Sequence, residues 1–128
     1  MIVLLDTSTP TCKLTLVDGE YTYTDEWQAD RTLAKHLLRY LTDKLEEYGS
    51  SLNQIEGIGV MKGPGSFTGL RIGLTVLNTI ADANAVPIVG ETGENWQKQA
   101  LDRLTNGESD RIVLPVYGRE ANITTPRK

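Results

Sequence analysis

The sequence predicts a mixed α/β fold, one β-sheet with helices packed on it, from three observations. The chain opens with short apolar or alternating runs separated by turn residues. Near its middle, Gly63-Pro64-Gly65-Ser66-Phe67-Thr68-Gly69-Leu70-Arg71-Ile72-Gly73 lies between an apolar run and a helix-like run, which reads as strand, tight loop and helix. From there to Tyr117, strand-like and helix-like segments alternate.

Ile2 to Leu5 is continuously apolar, as suits a strand buried on both faces. Asp6-Thr7-Ser8-Thr9-Pro10 breaks it with turn chemistry. Cys12, Leu14 and Leu16 alternate with Lys13, Thr15 and Val17, the period of a second strand. Asp18-Gly19 predicts a hairpin into a third strand, with Tyr21, Tyr23, Asp25 and Trp27 on one face and Thr22 and Thr24 on the other. Asp30 is the expected cap of a helix from Arg31 to about Tyr48, whose apolar stripe is Leu33, Leu37, Leu41, Leu45 and Tyr48, widened by Ala34 and Leu38 and stopped at Gly49.

Ile55 to Met61 predicts the fourth strand, and Phe67 to about Asn84 the second helix, capped by Ser66. Val86 to Val89 predicts a fifth strand, which Pro87 keeps from a mid-sheet position. Thr92 is the expected cap of a third helix, Gly93 to about Thr105, ended by Asn106-Gly107. Arg111 to Tyr117 predicts a sixth strand, and Arg119 to Lys128 a frayed tail. The order β-β-β-α-β-α-β-α-β is the ribonuclease-H-like arrangement, as found in one lobe of the sugar kinase/actin/Hsp70 (ASKHA) architecture.

Composition narrows function. At 128 residues the chain is long enough for one domain with its own core. A net charge of −4 argues against a broad electrostatic grip on nucleic acid. One cysteine, Cys12, excludes an internal disulfide, and its strand position suits burial better than nucleophilic work. One histidine, His36, with one distant thiol makes a poor transition-metal set, so no metal is expected. No apolar run reaches the roughly 18 residues of a membrane span, and the N-terminus lacks signal-peptide character, so a cytoplasmic protein without membrane contact is expected.

The second helix carries two apolar stripes. Leu70, Leu74, Leu77 and Ala81 suit the sheet; Gly69, Ile72, Gly73, Val76 and Ile80 form another. Two interior glycines cost about 1 kcal/mol each against alanine, so a closely approaching element is expected to offset them. It is either the first helix or a helix of another chain. The second option makes Leu33, Leu37, Gly69, Arg71, Ile72, Gly73, Val76 and Ile80 an interface. Arg71 opposes the helix dipole in the first turn and is expected to meet an acidic group of a partner or of its own chain, or to remain solvated. The loop at Gly63, Gly65 and Ser66 has two readings as well. It is a ligand-free turn, or a helix N-terminus able to hold an anion, although it matches neither the P-loop nor the dinucleotide fingerprint.

Together, the opening Met1-Ile2-Val3-Leu4-Leu5-Asp6-Thr7-Ser8-Thr9 and the Gly63–Gly73 segment resemble the TsaB (YeaZ) family from residue 1 to about 90. The resemblance implies a non-catalytic member of the bacterial machinery that makes N6-threonylcarbamoyladenosine in tRNA. Such a protein pairs with a TsaD-type transferase through the helices of its N-terminal lobe. A TsaE-type ATPase joins the complex, tRNA is met only indirectly, and a homodimer is expected in isolation. No catalytic residue, cofactor or metal is implied. The family usually has two lobes; here Tyr117-Gly118-Arg119-Glu120-Ala121-Asn122 keeps little of the entry to the second. The expectation is therefore one lobe over 1–118, a tail over 119–128 and no second lobe. Related kinases place a metal–phosphate-binding aspartate where Asp6 stands, but Thr7-Ser8-Thr9 lacks the glycine of their loop, and an Asx-turn is the competing reading. The rival functions are a small nucleotide- or phosphate-binding enzyme using Asp6 and the Gly63–Ser66 loop, and a purely structural homodimer.

Overall fold

In the computed structural model, which describes residues 1–117, the apolar opening run becomes strand β1 (Ile2–Asp6) near the centre of a five-stranded sheet. β2 (Thr11–Asp18) and β3 (Tyr21–Gln28) follow as an antiparallel meander. Helix α1 (Leu33–Glu47) leads to β4 (Gly57–Met61), parallel to β1. Helix α2 (Phe67–Asn84) leads to β5 (Ile88–Glu91), parallel to β4, and α3 (Trp96–Thr105) follows. The sheet order is β3-β2-β1-β4-β5. This is the mixed α/β sheet with flanking helices that the sequence predicts.

Strand alternation sorts the core into two layers. Val3, Leu5, Cys12, Leu14, Leu16, Ile58 and Val60 face α1 and α2 and join Leu33, Leu37, Leu41 and Leu45 of α1 and Leu74, Leu77 and Ala81 of α2. Leu4 and Val89 face the other way, onto Trp96 and Ala100 of α3. Gly59 admits α3 at close range, since a Cβ there would lie 2.9 Å from that of Ala100. The outer flank of α1 is latched to β3. The Tyr40 hydroxyl donates to Asp25, and the Trp27 and Tyr40 rings stack with centroids 4.9 Å apart.

Several expected boundaries move for identifiable reasons. The hairpin turns at Gly19-Glu20, one residue later than Asp18-Gly19, because Asp18 pairs with Tyr21 inside the ladder. Asp30 does not cap α1: it has φ +48, accepts from Gln28 Nε2, and opens a 3-10 turn (Asp30–Thr32), so that the α-helix starts at Leu33. Thr92 does not cap α3, which begins at Trp96 after Gly93 (φ +90) and without a side-chain cap. β5 lies two residues beyond its expected start, and β4 begins at Gly57, not Ile55.

Among the described residues there is no sixth strand at Arg111–Tyr117. The outer edge of β5 is already taken. Ile88 N donates to Ser109 Oγ (3.2 Å), Asp110 N donates to Ile88 O (2.8 Å), and Gly90 N donates to Asp110 Oδ2 (2.9 Å). Both backbone groups of Val113 go to the Asn78 side chain, at 2.9 Å each, and Pro115 has no N–H to offer. The expected tail over 119–128 lies outside the described residues.

The segment sealing β5 is itself held by Arg103. This guanidinium pairs with Glu91 (2.8 Å), Glu108 (2.8 Å) and Asp110. The hydrogen bond from Arg103 keeps the Asp110 carboxyl below its ordinary value of 3.8. A depressed folded-state pKa stabilises the fold above the unfolded value, and that contribution is lost as pH falls through the folded value. Wild type should therefore exceed Asp110→Asn in denaturant midpoint by a constant margin from neutral pH down to about pH 5, and the margin should close as pH falls through the lowered value of Asp110. Urea titrations of both proteins across this range check it.

Candidate functional site

The turn after β1 and the start of α2 form one interlocked unit. Asp6 Oδ1 accepts from Ser8 N (2.8 Å) and Ser8 Oγ (2.6 Å), an Asx-turn. The buried Thr7 hydroxyl donates to Gly69 O at 2.8 Å, and Ser66 N donates to Ser8 O at 2.7 Å. Ser66 caps α2 as expected, its Oγ accepting from Gly69 N at 3.2 Å. A Cβ at Gly65 would stand 2.5 Å from Ser8 O, one at Gly69 2.4 Å from Thr7 O, and one at Gly73 2.1 Å from Thr7 Oγ1. The element that these glycines admit is thus the chain's own β1–β2 turn.

The expected approach to the bare backbone of α2 is by the first helix or by a helix of another chain; within this chain it is made by that turn. Gly69 and Gly73 are buried beneath Thr7, Ile80 is 8% exposed, and Leu33 and Leu37 lie in the core shared by α1 and α2. Of the residues expected at an interface, Arg71, Ile72 and Val76 keep accessible surface. Arg71 has the ring of Phe67 as its described neighbour, 5.3 Å from guanidinium carbon to centroid, where a carboxylate was one expectation. Phe67 in turn lies against Tyr117, with centroids 4.4 Å apart.

The loop residues Asp6, Gly63, Gly65 and Ser66 do come together, but their polar groups serve the fold. Asp6 binds Ser8, and Ser66 binds Gly69 and Ser8. Gly63 (φ +123) lies against the carbonyl of Val116, and the Gly63–Pro64 peptide is cis. Burial pushes the Cys12 thiol up to about 12, with Asp6 and Asp25 adding to the shift, so it stays protonated at neutral pH. His36 is exposed on α1. Among the described residues, no three His, Cys, Asp or Glu side chains gather as a metal site.

One open feature among the described residues is a trough along α1, α2 and the β1–β2 turn. One part, about 540 Å³, is lined by Pro10, Arg31, Leu33, Ser66, Thr68 and Ile72 among others; the next, about 440 Å³, by Ala34, Thr68, Arg71, Ile72, Thr75 and Val76. Thr68 and Ile72 belong to both, so the two parts are continuous. Leu38, on α1, is 51% exposed. Sequence reasoning missed Ala34 and Leu38 as surface residues and took them only as widening the core stripe. The available signal was their place on the flank of that stripe, where a second helix arrives. Its lining mixes apolar side chains, Pro10, Leu33, Ala34, Ile72 and Val76, with polar and charged ones, Asp30, Arg31, Thr68, Arg71 and Thr75.

The family model described as TsaD: tRNA N6-adenosine threonylcarbamoyltransferase matches residues 27–111. The chain is 33% identical over 119 residues to the tRNA threonylcarbamoyladenosine biosynthesis protein TsaB of Haemophilus influenzae, covering 92% of this chain and 49% of that protein. It is 30% identical over 130 residues to TsaB of Escherichia coli, covering 94% and 56% respectively. A crystal structure of a Pseudomonas aeruginosa protein described as similar to peptidase YeaZ superposes with a TM-score of 0.67 at 32% identity, over 71% of this chain and 42% of that one. The chain spans about half the length of the curated relatives it matches.

The contact of Thr7 with Gly73 carries a test. Gly73→Ala should destabilise the fold by about 1–3 kcal/mol through overpacking, measured by chemical denaturation. Adding Thr7→Ala removes the hydroxyl and methyl that the new Cβ would strike, so the double mutant should lose less than the sum of the singles.

Proposed function

Because the chain belongs to the TsaB (YeaZ) branch of the TsaD family, we propose that it serves as a non-catalytic partner subunit in the formation of N6-threonylcarbamoyladenosine in tRNA. It docks a TsaD-type transferase on the α1–α2 trough and leaves the chemistry to that partner. The observation that carries this reading is the trough itself: Ala34, Ile72 and Val76 line it and remain accessible on two adjacent helices whose leucine stripes, Leu33, Leu37, Leu41 and Leu45 and Leu74 and Leu77, are buried in the core. Both helices are fixed from beneath, so the surface is organised before any partner arrives, which lowers the ordering cost of association.

The side chains best placed for chemistry support the same reading. The Cys12 thiol is protonated and buried, and the Asp6 carboxylate is engaged by the two donors of Ser8. That second observation counts against the nucleotide-binding alternative, which needs Asp6 free to face a metal–phosphate complex. In this proposal a TsaE-type ATPase and tRNA meet the assembly through the transferase, and the reaction takes place in the cytoplasm. A second copy of this chain is the competing occupant of the trough.

Light scattering after co-purification with the TsaD-type transferase of the same organism tests the proposal. Wild type should form a heteromeric complex. Ile72→Asp and Val76→Asp should each weaken it by at least about tenfold, because a carboxylate would be desolvated without a partner, while thermal unfolding of the isolated chain shifts little. Unimpaired assembly of both variants, or micromolar binding of MgATP to the isolated chain, contradicts it.

A further inference from the structure

The edge strand β3 holds α1 by the flank that faces away from α2. The buried leucines of α1, Leu33, Leu37, Leu41 and Leu45, recur on one side of the helix. At 3.6 residues per turn, Tyr40 falls to one flank of that stripe and Ala34 and Leu38 to the other. On the Tyr40 flank, the hydroxyl donates to Asp25 Oδ2, Lys44 Nζ lies 3.7 Å from Asp25 Oδ1, and the Trp27 ring stacks on that of Tyr40. Both carboxylate oxygens of Asp25 thus meet groups one helical turn apart on α1. The Asp25 and Lys44 side chains are 25% and 22% exposed, so the contact is partly shielded from water. On the other flank, Ala34 lines the trough together with Arg71, Ile72, Thr75 and Val76 of α2.

We propose that Tyr40 and Asp25 are positioning residues for the docking surface: they fix the roll of α1 about its own axis, and with it the separation between the Ala34 flank and α2. The inference rests on the docking function proposed above and adds the residues that set the geometry of one wall; neither of them lines the trough. A stripe of leucines is non-directional and tolerates a small roll at little cost. A hydrogen bond to a carboxylate is directional and stronger than a neutral one. Its anchor is fixed as well, since Asp25 pairs with Leu14 in a ladder that matches every residue of β3 with one of β2. Burial and the Asp25 carboxylate raise the Tyr40 pKa far above its ordinary value of 10.0, so the hydroxyl remains a donor at neutral and moderately alkaline pH.

Two conservative variants separate positioning from plain stabilisation. Tyr40→Phe removes the hydroxyl and keeps the ring on Trp27; Asp25→Asn removes the charge and keeps an acceptor for Tyr40. Affinity of each full chain for the TsaD-type transferase is measured well below its own thermal midpoint, alongside amide exchange of each chain alone. Tyr40→Phe should weaken binding at least about fivefold, and Asp25→Asn by about twofold or less. Exchange in Tyr40→Phe should rise in peptides spanning residues 33–47 and stay at wild-type rates across residues 67–84. If Tyr40→Phe binds as tightly as wild type, even with a lowered thermal midpoint, the inference is overturned: the latch then serves stability alone, and the docking function stands. Exchange that rises equally throughout the chain also overturns it, as does Asp25→Asn weakening binding as much as Tyr40→Phe. A wild-type chain that binds no transferase overturns both the inference and the docking function.

Discussion

Thr7 rests on the bare backbone of α2, and that contact positions most of what lies at this end of the domain. Its hydroxyl takes the carbonyl of Gly69, and its side chain fills the space that a Cβ at Gly73 would need. Ser66 is tied to Ser8 at the same place, so the end of β1, the glycine-rich loop and the first turns of α2 move as one piece. The sheet fixes β1 from both sides, through β2 and β4. The outward surface of α2 therefore inherits its position from the centre of the sheet, and α1 packs beside it through a shared core. A surface placed in this way loses little freedom when a partner arrives.

Much of the fold was legible because its signals are local. The bounds of α2 follow from the Ser66 cap and the periodic apolar residues, and the structure has the helix at Phe67–Asn84. The meander follows from alternation alone. Asp30 and Thr92 misled for a shared reason: short polar residues offer several backbone conformations, and here the chain took a 3-10 turn after one and a glycine bend after the other. The expected sixth strand failed on information no local pattern holds, since Ser109 and Asp110 seal the edge of β5 and Asn78 claims Val113.

The site was legible in a narrower sense. Paired glycines in a helix announce a close approach but do not say what approaches. Here it is a turn some sixty residues earlier in the chain, which covers Gly73 and leaves Gly69 at the edge of the trough. Ile72, Val76 and Arg71 stay on it because their side chains point between the sheet-facing stripe and solvent. The stacking of Arg71 on Phe67 and of Phe67 on Tyr117 depends on where the segment after α3 returns, which residue spacing does not encode.

Backbone hydrogen exchange of the chain with and without the TsaD-type transferase tests the α1–α2 trough as the docking surface most directly. The account predicts added protection concentrated in peptides spanning residues 31–42 and 66–80, with β3 and α3 unchanged. Protection confined to β3 or α3, or no change anywhere under conditions where the two proteins co-elute, contradicts it.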